Sequence, residues 1–294
     1  MKSLVKYVFS IIPFKKQLFT LLKSIWNPPE EIYQHLYFKD IFTIKVDERI
    51  TFKMRHYGFQ LENQIFWKGL RNGWEKESIK LWIELCKHSN VIFDIGANTG
   101  VYALIAKAVN PNSNVYAFEP VSRVYEKLKD NIALNGYNIQ AFDSAVSNYD
   151  GEAVIFDLPT EHVYSVTVNK NLSTEVPTIE TKVTTVRLDT FIESNQIPHV
   201  DLIKIDVETH EPEVLEGYTY FIQRHRPNIL IEILNDEVAA RLSTLVDGLD
   251  YVYFNIDERG AIQQAVQLQR SDYYNFLLCS KETAMNLDLL ERPK

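Results

Sequence analysis

The run VIFDIGANTG, Val91 to Gly100, constrains this chain more than any other stretch of its sequence. An apolar, β-branched segment ends in Asp94, turns through Gly96 and enters a helical pattern after Asn98 and Gly100. A buried strand, a tight turn and a helix in immediate succession satisfy that order. Gly96 lets the backbone turn sharply and lets a ligand lie against it, and Gly100 lets the helix approach the strand closely. In an open α/β sheet such openings fall at the carboxyl ends of the strands, where ligands bind. Asp94 is placed there to face a ligand's ammonium group.

The next strand ends in AFEP, with Glu119 twenty-five residues beyond Asp94. An acid at that place can accept both hydroxyls of a ribose. A plainer reading has Asp94 capping the following helix and Glu119 solvated in a loop. Strand, glycine turn, helix, strand and terminal acid in that order favour a nucleoside site instead. A dinucleotide site is the rival, but the GxGxxG spacing is absent: Gly96 and Gly100 are four apart, and Asn98 stands where the second glycine would meet a pyrophosphate.

From Val91 onward, short β-rich runs alternate with helical ones, the signature of βαβ units. VIFDI, NVYAFE (Asn114 to Glu119), IQAFD (Ile139 to Asp143), DLIKID (Asp201 to Asp206) and NILIEI (Asn228 to Ile233) read as strands. The helices between them are expected at Asn98 to Val109, Ser122 to Asn135, Glu211 to Gln223 and Asp236 to Val246. YVYFNI (Tyr251 to Ile256) and NFLLCS (Asn275 to Ser280) lack room for a crossover helix, so the last strand should be reversed. The expectation is a doubly wound, mostly parallel α/β sheet of seven strands with an antiparallel last strand. The Thr- and Val-rich stretch Ala153 to Arg187 suits an added hairpin or sheet-edge insertion. Residues 1–90 form an N-terminal extension with a hairpin at Phe42 to Met54 and an aromatic helical cover holding Trp67, Trp74 and Trp82. Residues 91–282 form the binding domain, and 283–294 a tail.

A formal charge of −8 opposes a nucleic-acid partner, which needs a basic footprint. Cys86 and Cys279, far apart and outside any CxxC, suggest neither a zinc site nor a disulfide scaffold, which fits a cytoplasmic location. The first 26 residues carry five lysines and no acid among many apolar residues. No apolar run is long enough to span a bilayer. The segment suits a basic helix pair packed on the catalytic domain, with peripheral attachment to the inner face of a membrane as the alternative.

Taken together, VIFDIGANTGVYA, YAFEP, NIALNG, VTTVRLDTFI, DLIKIDVETHEPEVLEG and RPNILIEI resemble the FkbM-type family of S-adenosylmethionine-dependent methyltransferases, over roughly Asn63 to Leu234. One position departs: Thr209 follows Glu208 where the family usually has glycine. The resemblance implies a Rossmann-like class I methyltransferase fold. It implies cofactor contacts from Asp94, Gly96, Asn98, Gly100 and Glu119, with adenine-side contacts near Asp143, Ser144 and Ala145. It also implies O-methylation of a hydroxyl on a sugar, glycan or related small molecule, as in polysaccharide biosynthesis.

A hydroxyl acceptor benefits from a proton acceptor, and Asp206, Glu208, His210 and Glu211 follow the strand DLIKID on the ligand-bearing edge. Of these, Asp206, Glu208 and His210 are the catalytic candidates. Asp206 and Glu208 with Glu232 can alternatively gather a divalent cation that acidifies a diol. Two other functions compete: an NAD-dependent oxidoreductase, and a non-catalytic scaffold of a glycan-assembly complex. The sequence names neither the acceptor nor the oligomeric state.

Overall fold

The computed structural model describes residues 13–157 and 179–291. Its N-terminal part supplies helix α1 (Lys15–Ile25), the turn α2 (Glu30–Tyr33), strands β1 (Asp40–Lys45) and β2 (Thr51–His56), and helices α3 (Gln60–Lys68) and α4 (Lys76–Cys86). The alternation around FTIKVDERITFKM does give an antiparallel hairpin, with Asp40 opposite His56 and Lys45 opposite Thr51. Phe42, Ile44, Phe52 and Met54 fill its buried face. Residues 1–12 of the basic segment lie outside the described residues. Helix α1 buries Phe19, which meets Trp67 at 5.9 Å between ring centroids. Lys16 pairs with Asp40 and Lys23 donates to the Phe66 carbonyl, while Phe14, Leu18, Leu21 and Ile25 form an exposed stripe.

The sheet begins with β3 (Val91–Ile95), α5 (Val101–Val109), β4 (Asn114–Phe118), α6 (Ser122–Asn135) and β5 (Ile139–Phe142). A small three-stranded sheet follows, made of β6 (Ala145–Val146), β7 (Gly151–Asp157) and β8 (Ile179–Val186). In it β7 and β8 form the expected hairpin, whose residues 158–178 are outside those described. The chain continues through α7 (Leu188–Ser194), β9 (Leu202–Ile205), α8 (Glu211–Glu216), α9 (Thr219–His225), β10 (Asn228–Glu232) and α10 (Asp236–Val246). It closes with β11 (Val252–Asp257), β12 (Ala261–Ala265), β13 (Asn275–Cys279) and α11 (Lys281–Asn286).

The main sheet runs β5-β4-β3-β9-β10-β13-β11-β12. Its strands β5, β4, β3, β9 and β10 are parallel, and β13 inserts antiparallel between β10 and β11. All seven expected strands are present, and β12 adds an eighth, antiparallel to β11. The helix expected over Glu211 to Gln223 is two helices broken at Gly217 and Tyr218. A Cβ on Gly217 would lie 2.1 Å from the Ser147 carbonyl oxygen, so the break brings α8 against the small sheet.

Alternate strand residues feed opposite faces, as the two-residue period requires. Ile92, Leu202, Leu230 and Leu277 pack with α4, α5 and the N-terminal hairpin. Phe93, Ile203, Ile205, Ile229 and Ile231 pack with α7 to α10. Each such side chain removed from water contributes about 1.5–3 kcal/mol.

Two asparagines of α6 hold the hairpin, and one of them also reaches the turn after β3. Buried Asn131 accepts the Arg55 N–H at 2.9 Å and donates to the Thr99 carbonyl at 2.9 Å. Asn135 accepts the Lys53 N–H at 2.7 Å and donates to the Lys53 carbonyl at 2.8 Å. Side-chain amides thus stand in for a neighbouring strand along β2. The chain leaves β3 toward β4 on one side and returns at β9 on the other, and that reversal opens a crevice at the strands' carboxyl ends.

Candidate active site

A cavity of about 480 Å³ occupies this crevice. Its wall brings together Asp94, Gly96, Asn98, Glu119, Ser144, Ala145, Asp206, Glu208 and His210. Gly100 and Asp143, expected beside them, are not part of the wall. Gly100 is the residue before α5, at φ +93°, and a Cβ there would fall 2.5 Å from Leu128 Cδ1; it lets α6 close on the turn. Asp143 is exposed and accepts from Ser122 Oγ at 3.2 Å.

The glycine turn has a tighter constraint than ligand access alone. Gly96 has φ +79°, and a Cβ on it would lie 1.9 Å from the Asp206 carbonyl oxygen, so β3 and β9 meet only because that position has no side chain. Asn98 adopts φ +53°, and its side-chain oxygen accepts the Thr99 N–H at 2.8 Å. Asparagine tolerates that left-handed geometry through such local bonding, which explains why it can replace a second glycine.

Glu119 is buried and grips the turn: one carboxylate oxygen accepts the Asn98 N–H and the other the Val121 N–H, both at 2.9 Å. Burial raises its pKa to about 7 against the opposing pull of those two N–H groups. Each carboxylate oxygen keeps a further lone pair for a ligand donor. Asp94 does cap the following helix, its Oδ2 accepting the Ala103 N–H at 2.9 Å. Its Oδ1 is buried and has no hydrogen-bond partner among the described residues. Burial raises the Asp94 pKa to about 6. A buried carboxylate oxygen left without a partner on a cavity wall suits a donor or cation from a ligand.

The wall beside Asp94 is charged, since Lys204 is the register partner of Asp94 on the neighbouring strand. Lys204, on β9 and only 4% exposed, donates to Asp206 at 2.7 Å and stands 4.5 Å from the centroid of the Tyr102 ring. Burial works to deprotonate this ammonium, but Asp206, Glu75 and Asp94 outweigh it and hold its pKa above the ordinary lysine value. Glu75 enters from the N-terminal extension and accepts from Tyr102 Oη at 2.5 Å. Burial raises Glu75 to about 7, with Lys204 opposing and Asp206 reinforcing the shift. Glu232, at the end of β10, is raised to about 9 by burial and by the nearby Asp206 and Glu208. The sequence reading did not single out Glu75. Flanked by Trp74 and Lys76, it has the look of a solvated charge in a covering segment.

The loop after β9 is shaped by an acid that the sequence offered as a catalyst. Glu211 is fully buried, and its Oε1 accepts the N–H groups of Val207 at 3.1 Å and Thr209 at 3.3 Å. Burial raises its pKa to about 8. Glu208 and Thr209 both have positive φ, +55° and +77°. The left-handed backbone that glycine would supply is therefore kept despite Thr209. His210 lines the cavity, but its Nε2 lies 3.0 Å from Ser147 Oγ and its Nδ1 3.5 Å from Glu213. Burial lowers the His210 pKa, against the pull of Glu213.

Among the described residues, no group of three or more His, Cys, Asp and Glu side chains is arranged to hold a metal ion. The cation among these acids is the Lys204 ammonium. No described helix is long and apolar enough to cross a membrane.

Residues 94–253, more than half of the chain, match the Methyltransferase FkbM domain family, and the chain belongs to that family of methyltransferases. It is 28% identical over 149 residues to the hexuronic acid methyltransferase AglP of Haloferax volcanii, covering 51% of this chain and 58% of that protein. It is also 28% identical over 142 residues to Methyltransferase 1 of Beauveria bassiana, covering 43% and 57%. The chain thus spans little more than half the length of these two curated relatives. Solved structures that align with it include the methyltransferase FkbM of Methylobacillus flagellatus, at 15% identity and TM-score 0.39 over 65% of this chain and 43% of that one. A SAM-dependent methyltransferase of Agrobacterium tumefaciens aligns at 12% identity and TM-score 0.45, over 83% and 71%.

Proposed function

We propose that the chain transfers a methyl group from S-adenosylmethionine to a hydroxyl oxygen of a sugar, glycan or related small molecule. One observation carries this reading: Glu119, the Gly96 turn and Asp94, one of whose oxygens has no partner among the described residues, line one cavity together with Asp206, Glu208 and His210. Glu119 would take the ribose hydroxyls, the backbone from Gly96 to Thr99 the nucleoside, Ser144 and Ala145 the base, and Asp94 the amino group. When bound, the cofactor supplies an electrophilic methyl carbon on a sulfonium.

The protein then has to hold an acceptor oxygen in line with that carbon and keep water out, which is largely a matter of positioning. Asp206, Glu208 and His210 supply the acceptor-side wall and a proton acceptor. Neutral His210, with its pKa lowered by burial, is able to take a proton, and Lys204 fixes Asp206. The hexuronic acid methyltransferase among the relatives makes hexuronosides the first acceptors to try.

Purified chain incubated with S-adenosylmethionine and a panel of hexuronosides and neutral glycosides should release S-adenosylhomocysteine with an equal amount of O-methylated sugar. Release of the thioether without methylated glycan from any member would count against a sugar acceptor. Failure to bind the sulfur nucleoside at all would remove the cofactor assignment.

A further inference from the structure

On the charged wall of the cavity, Glu75, Asp94, Asp206 and Glu232 gather around a single ammonium, that of Lys204. Four carboxyl groups share one ammonium, and one oxygen of Asp94 has no hydrogen-bond partner among the described residues. Two of these acids are committed to the fold or to Lys204: Asp94 caps α5, and Asp206 pairs with Lys204. Glu75 differs. It reaches the cavity from a backbone position with φ +46°, outside the residues that match the family, and the side chains of Tyr102 and Asn275 both hydrogen-bond to its carboxyl group. A non-glycine residue kept in that left-handed region is overdetermined by its surroundings and directs its side chain to one place.

We propose that Glu75 reads the positive charge of the sulfonium, so that the cavity binds S-adenosylmethionine in preference to S-adenosylhomocysteine. This rests on the cofactor assignment above. The two ligands share adenosine, carboxylate and ammonium and differ by one methyl group and one positive charge. Trp74, Glu75, Tyr102 and Lys204 line the same cavity as Gly96 and Glu119, within reach of a ligand whose nucleoside lies at the Gly96 turn. A carboxylate partly withdrawn from water, as Glu75 is, attracts a cation more strongly than one in bulk water. Loss of that charge on transfer then weakens retention of the product. The raised pKa of Glu75 fits an acid awaiting a cation. The groups facing it are Tyr102 on α5, Lys204 and Asp206 at β9, Glu232 at the end of β10 and Asn275 on β13.

Calorimetry on the full chain with each ligand separately, for wild type, Glu75→Gln and Tyr102→Phe, tests this. Wild type should bind S-adenosylmethionine at least about tenfold more tightly than S-adenosylhomocysteine at pH 8, and Glu75→Gln should cut that ratio to about twofold or less while product affinity changes less than about threefold. Tyr102→Phe should lower the ratio partway. The wild-type preference should also shrink from pH 8 to pH 6, and more steeply than in Glu75→Gln, where Asp94 and Glu119 still titrate. Equal weakening of both ligands would mean that Glu75 reads the shared ammonium or only shapes the wall, and an unchanged ratio would mean that it does not face the sulfonium; either overturns the proposal. Wild type that binds neither ligand overturns the cofactor assignment itself. Matched unfolding curves for the variants exclude misfolding as the cause.

Discussion

A Cβ placed on Gly96 would lie 1.9 Å from the Asp206 carbonyl oxygen. The residue that opens the turn after β3 is therefore also the contact point between β3 and β9. Gly96→Ala should lower stability by more than about 3 kcal/mol, since the new Cβ would meet the Asp206 backbone carbonyl at a φ that alanine also resists. Urea unfolding measures this, and a cost under about 1 kcal/mol would contradict the close approach.

Glu211 gives a pH prediction with a definite sign. Its folded pKa, about 8, lies above the ordinary carboxyl value of 4.5, so the folded state holds its proton more tightly. Its contribution to stability is full below the ordinary value and is lost as pH rises from about 4.5 toward 8. Asp94, Glu75, Glu119 and Glu232 are shifted the same way. The ligand-free chain should accordingly be more stable near pH 5.5 than near pH 8. Glu211→Gln, which keeps the acceptor for Val207 and Thr209, should gain about 1–3 kcal/mol at pH 8 and flatten the profile. Thermal unfolding across this range checks it, and a loss of stability at pH 8 would contradict it.

Thr209 sits at φ +77° where a branched side chain is strained. Relief of about 1–3 kcal/mol of strain, less the greater freedom of glycine in the unfolded chain, leaves Thr209→Gly about 1 kcal/mol more stable. Denaturant midpoints should rise with affinity for S-adenosylhomocysteine unchanged within about twofold.

Asn131 holds two backbone groups from distant segments, the Arg55 N–H and the Thr99 carbonyl. Asn131→Ala leaves both without this partner and should cost about 2–4 kcal/mol. Because Thr99 belongs to the ligand-bearing turn, nucleoside affinity should fall as well. Unfolding and binding measured on the same preparation would show whether the two losses travel together.

The elements most legible in the sequence are those whose pattern is local. The strands Val91–Ile95 and Asn228–Glu232 are continuous apolar runs, and the helices Ser122–Asn135 and Asp236–Val246 match the sequence reading at both ends. The strand Ala261–Ala265 was missed because AIQQA has a single branched residue, Ile262, and no alternation, and its place is set by pairing with β11. The break at Gly217 is fixed by the Ser147 carbonyl, some seventy residues away, which no local pattern reports. In the site, Asp94, Gly96, Asn98 and Glu119 were legible because the turn orders them along the chain. Glu75 was not, because only the packing of Tyr102 against the N-terminal extension brings it to the cavity. The hairpin was legible, but its attachment through Asn131 and Asn135 was not, since an asparagine on a helix face looks solvated until its partners are known.

The central claim is that Glu119 and the Gly96 turn cradle an adenosyl nucleoside. Calorimetric titration of the full chain with S-adenosylhomocysteine, and separately with NAD, tests it most directly. The account predicts saturable binding of one S-adenosylhomocysteine per chain, none of NAD, and at least about a tenfold loss of affinity in Glu119→Ala. No heat and no thermal stabilisation with S-adenosylhomocysteine, or binding that Glu119→Ala leaves intact, would contradict it.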